Sequence, residues 1–332
     1  MIKCNLIIDG NYILYRNTFA LQKNNLLFGS LLNSLEISIS NYRKWFPFKK
    51  VLLVSDSKEK SWRKKIYPEY KENRKKDSDI DWEFVYRTYD DFKNNIENNK
   101  NSSNITILES PHIEGDDWIS YLINEFNLKG ESTMIVSNDY DIKQLISYNL
   151  NPLYINIMFN EIFNKQKVFL PKNYNIFLNT LNTMDNDDIF NLNDNQEFTQ
   201  LINNFAEKYE ILEINSLESL LIKVISGDKS DNIESVWVVE KNGKKRGIGE
   251  TGSKKIYEEL ISEYSDTSLD DSKFIDNLSE VILANKKLPI SDLNKLKQNI
   301  THNMSLVNLK ISELPNSVFN RMDNQYKNKN EK

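Results

Sequence analysis

The chain has 332 residues, a hydrophobic content of 39% and a formal net charge of −5. Its length suffices for one large or two medium domains, and its 16 Phe and 16 Tyr indicate a globular rather than a disordered protein. One cysteine and two histidines exclude an internal disulfide and a cysteine-based metal site, and leave little room for a zinc site or a Ser-His triad.

The start of the chain, MIKCNLIIDGNYILY, carries Asp9 within a short apolar run, which argues against a signal peptide. No apolar run approaches the roughly 20 residues that a membrane helix needs. We therefore expect a mature N-terminus and a cytoplasmic protein. Charge is segregated along the chain: basic runs lie at 58–76 and 241–246, and acidic clusters lie at 114–117, 139–141, 185–188 and 228–231.

Four short apolar runs read as buried strands, and they are residues 4–8, 51–54, 105–108 and 133–136. Between and after these strands, apolar residues recur at the helical spacing i, i+3, i+4, i+7, most clearly over 119–126 and 217–225. Strands alternating with helices predict a parallel sheet covered on both faces. Asp9, Asp56, Asp139 and Asp141 each follow a predicted strand, so we expect them to converge on the carboxyl edge of that sheet.

The stretch WRKKIYPEYKENRKK places Tyr67, Tyr70, Lys71 and Arg74 at i, i+3, i+4, i+7. We predict a helix with two aromatic and two cationic side chains on one face, and with Pro68 in its first turn. Cations suit phosphates and aromatic faces suit unstacked bases. The alternative is an ordinary solvated, charged helix.

Residues 160–215 are rich in Asn, and we interpret them as an insertion with helical pieces near 174–182 and 197–209. After the predicted helix over 217–225, the stretch SGDKSDNIES places Asp228 and Asp231 three residues apart beyond Gly227. The tail, residues 326–332, is predicted to be disordered.

The stretch GIGETGSKKIYEEL places Gly247 and Gly249 before an amphipathic helix. Glycines let a backbone approach a phosphate, and a helix N-terminus offers free N–H groups. Thr251 and Ser253 are predicted to cap this helix, and Lys254 and Lys255 add positive charge. An ordinary turn between two helices is the alternative.

Acids that end strands or begin helices form one set: Asp9, Asp56, Glu114, Asp116, Asp117, Asp139, Asp141, Asp228 and Asp231. Carboxylates brought close together repel one another, and hard divalent cations such as Mg²⁺ relieve that repulsion through oxygen ligands. Each acid alone also fits a turn or a helix cap. A calcium loop at NDYDIKQL is disfavoured, because the EF-hand glycine and the glutamate at position 12 are missing.

Five motifs together resemble the flap endonuclease / 5′→3′ exonuclease superfamily, with the strongest likeness to the ribonuclease H of T-even phages. They are LIIDGNYILYR, YPEYKENR, EGDDWISYL, SNDYDIKQL and SGDKSDNI followed by GIGETGSKKI. The resemblance covers residues 1–146 and 217–260, and it continues faintly over 287–327. It implies an α/β fold, in which a PIN-like nuclease domain with a mostly parallel sheet accompanies a smaller helical domain containing a helix-three-turn-helix DNA-binding motif.

The expected domains are a nuclease domain over 1–146 with a helical arch around 62–95, an unassigned insertion over 147–216, and a helical domain over 217–325. The resemblance also implies a role for each acid. Asp9, Asp56, Glu114 and Asp116 would serve a first metal ion, and Asp141, Asp228 and Asp231 would hold a second. Asp117 and Asp139 would lie between the two ions or support both. Lys71 and Arg74 would contact the scissile phosphate, Tyr70 would stack on the terminal base, and the helix-turn-helix after Asp231 would grip the duplex backbone.

The implied activity is Mg²⁺-dependent cleavage near 5′ ends, in flaps and in RNA·DNA primers, with Mn²⁺ as a substitute and K⁺ at the glycine hairpin. Implied partners are DNA and RNA·DNA duplexes, a single-strand-binding protein and a sliding clamp, for a monomeric protein of phage origin. Two departures from the family pattern are Gly115, where alanine is usual, and a lengthened loop, VWVVEKNGKKR. The alternatives are a catalytically silent DNA-binding scaffold and a phosphatase-like enzyme.

Overall fold

The computed structural model describes residues 3–74, 79–98, 105–162, 165–183, 192–264 and 273–330. The chain forms two compact units. The sheet unit comprises Met1–Trp62, Asp77–Asn215 and Leu309–Lys332, and the helical unit comprises Arg63–Lys76 and Ser216–Asn308. The acidic cluster at 185–188 lies outside the described residues.

The described strands are β1 (Cys4–Asp9), β2 (Val51–Val54), β3 (Ile105–Leu108), β4 (Ser132–Val136), β5 (Tyr148–Leu150), β6 (Leu153–Ile162), β7 (Lys165–Pro171), β8 (Glu210–Ile214), β9 (Val238–Lys241) and β10 (Lys244–Gly247). The described α-helices are α1 (Gly10–Gln22), α2 (Leu27–Arg43), α3 (Trp82–Asn98), α4 (Gly115–Asn127), α5 (Tyr174–Thr183), α6 (Leu192–Lys208), α7 (Ser216–Ser226), α8 (Glu250–Glu263), α9 (Phe274–Lys286), α10 (Leu293–Val307) and α11 (Asn316–Asn330). None of these helices combines the length and the apolar character that a bilayer crossing requires.

The sheet unit is built on one sheet with the strand order β3-β2-β1-β4-β6-β7-β8, and β5 pairs with β6. From β3 to β6 all neighbouring strands are parallel, whereas β7 runs antiparallel to β6. The four predicted strands and the mostly parallel sheet are thus confirmed. The strand order reverses between β1 and β4, and α/β sheets bind ligands at the carboxyl edge of such a reversal.

Helices cover both faces of this sheet. Every residue of β1 is buried, because Leu6 packs into one hydrophobic cluster with Leu35 of α2, and Ile7 packs into a second cluster with Trp118 of α4. Full burial of such a side chain contributes about 1.5–3 kcal/mol. A strand that is covered on both faces shows no polar alternation, which explains the continuous apolar runs in the sequence.

Residues 147–215 extend the sheet. The two helical pieces expected there are confirmed as α5 and α6. Strands β5 to β8 were not predicted, although β6 has Ile155, Ile157 and Phe159 at alternate positions and all three are buried. Interleaved asparagines gave this segment the composition of a loop.

The predicted disordered tail is wrong as far as Asn330, and residues 331–332 lie outside the described residues. Helix α11 ends the described chain, and its residues Val318, Met322 and Tyr326 are buried at four-residue spacing. The Tyr326 ring lies edge-on to the Tyr121 ring of α4, with 5.7 Å between centroids. The polar face of α11, which is rich in Asn and Lys, concealed this amphipathic pattern in the sequence.

The helical unit has its own core. It is formed by residues of α7, α8, α9 and α10, including Leu221, Val224, Ile256, Leu260, Leu278, Ile282, Leu296 and Ile300. The segment that begins at Arg63 belongs to this unit, since Arg63 is buried and its Nε donates to the carbonyl of Leu306 at 2.8 Å. Helices α7 and α8 flank the β9–β10 hairpin. The helix-three-turn-helix motif stays a prediction.

Gly10, at the start of α1, is expected to tolerate no side chain. A Cβ there would lie 1.9 Å from Tyr89 Oη and 2.7 Å from the carbonyl oxygen of Val54. We expect Gly10→Ala to lower the free energy of unfolding by about 1–3 kcal/mol or more, as overpacking does. Gly29→Ala is the control, because a Cβ at Gly29 meets no atom within 4 Å. Urea unfolding measures both, and equal midpoints for the two variants would contradict the prediction.

Candidate metal centre and nucleic-acid interface

The acids of the sheet unit gather where β2, β1 and β4 end. Asp9 is the last residue of β1 and lies opposite Val54, the last residue of β2. Asp56 follows β2, and Asp139 follows β4 on the other side of β1. Because these three strands are parallel neighbours, the acids beyond them share one edge of the sheet, as the sequence predicted.

Asp9 is held by two hydrogen bonds and is only 9% exposed. Its Oδ1 accepts the N–H of Tyr12 at 3.0 Å, and its Oδ2 accepts the Ser137 hydroxyl at 2.7 Å. Burial, with smaller contributions from the charges of Asp56 and Asp139, raises the pKa of Asp9 from its ordinary value of 3.8 to about 7. Asp9 therefore caps α1 and at the same time adds a carboxylate to a crowded acidic edge.

Ser137 links Asp9 to the acids that follow β4. It is fully buried, and its Oγ accepts the N–H of Asp139 at 3.0 Å. Asp139 Oδ1 in turn accepts the N–H of Asp141 at 2.8 Å and caps the short 3-10 helix Tyr140–Leu145. Both aspartates are half-buried. The chain of hydrogen bonds fixes the turn that carries them.

The acids around the start of α4 have different environments. Asp117 is fully buried, and its Oδ2 accepts the N–H of Glu114 at 3.1 Å and the indole N–H of Trp62 at 2.9 Å. Glu114 is buried and accepts the hydroxyl of Ser61 at 3.0 Å, whereas Asp116 is half-buried in the first turn. These contacts favour a supporting part for Asp117, which shapes the turn that presents its neighbours.

Gly115 lets Asp56 approach the N-terminus of α4. The Gly115 N–H donates to Asp56 Oδ1 at 2.7 Å, and a Cβ at this position would lie 3.3 Å from the same oxygen. An alanine would therefore crowd the carboxylate by a few tenths of an ångström. The positive end of the helix dipole also stabilises an anion there. The glycine at position 115 thus has a local effect on Asp56.

The residues of this edge fit a hard divalent cation. The donors are carboxylate oxygens, which Mg²⁺ and similar ions prefer. Burial is the main cause of the raised pKa of Asp9, and the neighbouring charges of Asp56 and Asp139 add a smaller repulsion. A bound divalent cation would relieve that repulsion and favour the ionised form of Asp9.

This arrangement predicts a pH effect on the metal-free protein. Because the folded-state pKa of Asp9 lies above its ordinary value of 3.8, its stabilising contribution is complete below that value and is lost as the pH rises through about 7. We expect the melting temperature in EDTA to fall between about pH 5 and pH 8. Each pKa unit corresponds to about 1.4 kcal/mol.

Asp9→Asn is the matched variant for this effect, and it is expected to lose the Asp9 component of the pH dependence. Magnesium should raise the melting temperature of the wild type at the alkaline end of the range, where Asp9 is ionised, and should do so much less at the acidic end. If the melting temperatures of the wild type and of Asp9→Asn changed with pH in the same way, the prediction would be contradicted.

Sequence reasoning missed the neutral groups around the acids. They include Ser61, Trp62 and Ser137, described above, and the pair of Ser55 Oγ and Tyr89 Oη, which lie 2.7 Å apart. Burial raises the pKa of the Tyr89 hydroxyl, and the charges of Asp9 and Asp56 add to this effect. The serines that directly follow β2 and β4, Ser55 and Ser137, were the available signal.

In the helical unit, Asp228 and Asp231 lie in a tight loop after α7. Gly227 has a φ of 71° and ends that helix. Asp228 Oδ1 accepts both the N–H and the hydroxyl of Ser230 at 2.7 Å, and Asp228 pairs with Lys223. Burial alone would raise the pKa of Asp228, but the hydrogen bonds from Lys223 and Ser230 outweigh it and lower the pKa below its ordinary value.

Asp231 is bound to the segment that carries the predicted basic pair. Its Oδ2 accepts the Tyr70 hydroxyl at 3.0 Å, and its Oδ1 pairs with Arg74. The N–H of Lys71 donates to the Asp231 carbonyl at 2.9 Å, and the Lys71 Nζ lies 5.0 Å from the centre of the Tyr70 ring. Lys71, Arg74 and Asp231 are thus neighbours within one unit, although more than 150 residues separate them in sequence.

Two predictions about this segment are wrong. The predicted helix over 67–74 is absent, since a short 3-10 helix, Trp62–Lys65, is followed by turns in which Lys71 has a φ of 58°. Tyr70 is only 4% exposed and packs in the core of the helical unit, which leaves its ring no free face for stacking on a base. The helical arch around 62–95 stays a prediction, and residues 75–78 lie outside the described range.

The glycine-rich turn leads directly into α8. Gly249 is the N-cap residue of α8, so the predicted caps at Thr251 and Ser253 are wrong. Ser253 is buried and donates its hydroxyl to the Gly249 carbonyl at 3.1 Å. Thr251, Lys254 and Lys255 are exposed, and Lys254 also pairs with Glu218 at 3.4 Å. Roles for Gly247 and these residues in binding DNA or K⁺ stay predictions.

Comparisons with known proteins agree with this geometry. A family model described as "5′-3′ exonuclease, N-terminal resolvase-like domain" matches residues 5–173. The chain is 34% identical over 169 residues to the 5′-3′ exonuclease of Aquifex aeolicus, a match that covers 49% of this chain and 54% of that protein. It is 29% identical over 121 residues to ribonuclease H of phage T4, covering 36% and 39% of the two chains. Matches to three 5′-3′ exonucleases span 54% to 60% of their length.

Two solved structures are similar over nearly the whole chain. The flap endonuclease of bacteriophage T5, in a pseudo-enzyme-product complex with DNA and metal ions, has a TM-score of 0.60 at 15% identity and covers 99% of this chain and 100% of its own. The T5 5′-exonuclease with bound zinc has a TM-score of 0.57 at 16% identity, covering 98% and 99%. At these identities the likeness establishes the fold.

Proposed function

Because the chain belongs to the 5′-3′ exonuclease family, whose N-terminal, resolvase-like domain matches residues 5–173, we propose that it is a metal-dependent 5′ nuclease. It hydrolyses phosphodiester bonds near the 5′ ends of DNA flaps and of RNA·DNA primers during phage DNA replication. The observation that carries this proposal is the acidic edge of the sheet. There Asp9 is buried and bonded to Ser137, and the charges of Asp56 and Asp139 contribute to its raised pKa.

The proposal assigns a first divalent ion to Asp9, Asp56, Glu114 and Asp116, and a second to Asp141, Asp228 and Asp231. Asp117 and Asp139 position the turns that carry these ligands, as their hydrogen bonds indicate. When bound, two Mg²⁺ ions, or Mn²⁺ in their place, stabilise negative charge on the attacking and leaving oxygens of the phosphodiester.

The chain's own cations bind the substrate. Lys71 and Arg74 donate to the scissile phosphate, and charge-assisted hydrogen bonds of this kind are the strong ones. The Asp231 carboxylate accepts the Tyr70 hydroxyl and forms an ion pair with Arg74, and the Asp231 carbonyl accepts the N–H of Lys71. Asp231 therefore holds this segment in one conformation. The T5 flap endonuclease, which shares the fold, was captured with DNA and metal ions, and this supports DNA as the substrate class here.

A 5′-labelled flap tests the proposal in one assay. We expect cleavage in Mg²⁺, none in EDTA, and products with 5′-phosphates. Binding of the flap without cleavage would favour the silent scaffold instead, and release of inorganic phosphate from small esters would favour a phosphatase. A parallel RNA·DNA primer substrate measures the preference between RNA and DNA.

A further inference from the structure

Residues 238–247 form an exposed two-stranded hairpin in the helical unit. The strands pair antiparallel, with Arg246 opposite Val239. The residues between them, Asn242 and Gly243, have φ values of 54° and 67°, as a two-residue type I′ turn requires. Asn-Gly is the strongest short-range signal for such a turn. The local sequence therefore specifies a hairpin at the position where the sequence resemblance implied only a lengthened loop.

The base of the hairpin is anchored. The Ser235 hydroxyl donates to the Ile225 carbonyl at 2.9 Å and accepts the N–H of Ile248 at 2.9 Å. A Cβ at Gly247 would lie 2.5 Å from Ser235 Cβ, so the two chain segments approach too closely for any other residue. These contacts hold the strands at a defined place on the helical unit.

Beyond its base the hairpin buries little. Every residue of β10 is exposed, and Val239 of β9 is 48% exposed. A two-stranded hairpin without a core is only marginally stable in water. The hairpin therefore contributes little to the stability of the unit, and this points to a role in binding rather than in folding.

The two faces of the hairpin differ in charge. Opposite and alternate residues share a face, so Lys244, Arg246 and Val239 lie on one face, and Lys245 and Glu240 lie on the other. Lys245 is already paired with Glu234 at 2.8 Å. Among the described residues, neither Lys244 nor Arg246 forms an ion pair. The first face, defined here as the basic face, carries Lys244 and Arg246 as cations without an ion pair in the described part of the chain, and the small apolar side chain of Val239 lies opposite Arg246.

We propose that the basic face binds the phosphate backbone of duplex DNA next to the cleaved strand. This rests on the proposed function, since a 5′ nuclease that acts on flaps and nicks must hold the adjoining duplex. Lys244 and Arg246 are two residues apart, about 7 Å along the strand, and their long side chains reach separate phosphates. The apolar residue opposite Arg246 is Val239, which gives no aromatic platform for unpaired bases. Contacts by cations alone are independent of sequence.

The test is the salt dependence of binding to a blunt duplex in EDTA, measured by fluorescence anisotropy. Each phosphate contact contributes about 0.9 to the slope of log Kd against log salt. We expect the double variant Lys244→Ala, Arg246→Ala to reduce this slope by about 1.8 and to weaken binding. Lys245→Ala is the matched control and should keep nearly the wild-type slope. Circular dichroism confirms that the variants are folded.

An unchanged slope in the folded double variant would overturn the proposal. So would an equal loss of affinity for a single strand of the same length, because the basic face would then not be specific for duplex. Failure of the proposed nuclease function would give a different result. A wild-type protein that binds duplex through the basic face but never cleaves a flap would contradict the nuclease function and would leave this inference standing. If the wild type and the double variant both cleaved the flap and bound duplex with identical affinity, only the proposed role of the hairpin would be overturned.

Discussion

Asp116→Asn is expected to reduce Mg²⁺-dependent flap cleavage by at least about a hundredfold while leaving DNA binding largely intact. Loss of a hydrogen-bonded outer partner of a metal ligand already costs about 10- to 100-fold, and the proposal makes Asp116 a ligand itself. Its side chain is half-buried in the first turn of α4, so the substitution changes charge without changing volume. Single-turnover cleavage and anisotropy titration measure the two quantities separately.

The matched control is Asp91→Asn, an exposed acid of α3 outside the candidate site, which should cleave at the wild-type rate. Excess Mn²⁺ is expected to restore part of the activity of Asp116→Asn, since a weakened site fills at a higher ion concentration. Loss of binding and cleavage by the same factor would refute the role given to Asp116.

Lys71→Ala is expected to slow the chemical step about 10- to 100-fold, because a charge-assisted hydrogen bond contributes about 1.5–3 kcal/mol. Arg74→Ala should have an effect of similar direction, but it also removes the ion-pair partner of the buried Asp231 carboxylate. Lys71 is therefore the cleaner position. Rapid-quench measurement under single-turnover conditions isolates this step from product release.

Lys65→Ala is the control for Lys71, since Lys65 is an exposed lysine of the same segment. It removes one positive charge and should affect only the affinity for DNA, and only slightly. An unchanged single-turnover rate for Lys71→Ala would exclude the proposed contact with the scissile phosphate.

The sequence predicts the sheet and its acidic edge well, for a physical reason. Buried parallel strands read as continuous apolar runs, and the residues that follow them must share an edge. Asp9, Asp56 and Asp139 could therefore be placed together without coordinates. The neutral partners were missed, because the hydroxyl of Ser137 reaches Asp9 across 128 positions and its only local signal is a serine directly after a strand.

Local pattern failed where distant contacts decide the conformation. The spacing of Tyr67, Tyr70 and Arg74 fits a helix, yet their side chains bond to Asn232 and Asp231 in a loop more than 150 residues away. These tertiary contacts outweigh helix propensity, which amounts to less than about 1 kcal/mol per residue. In α11 the error was the reverse, because a helix is present where disorder was predicted. The polar composition of this segment concealed three apolar residues at helical spacing.

The assignment of Arg63–Lys76 to the helical unit has a consequence for dissection of the protein. The backbone passes between the units at four places, so no single cut separates them. A fragment that stops at Asn215 would keep Tyr70 and Arg63 but would lack the oxygens of Asp231 and Leu306 to which they donate. Its stretch around Tyr70 would lose its apolar surroundings, and such a fragment should aggregate or be clipped by proteases at that stretch.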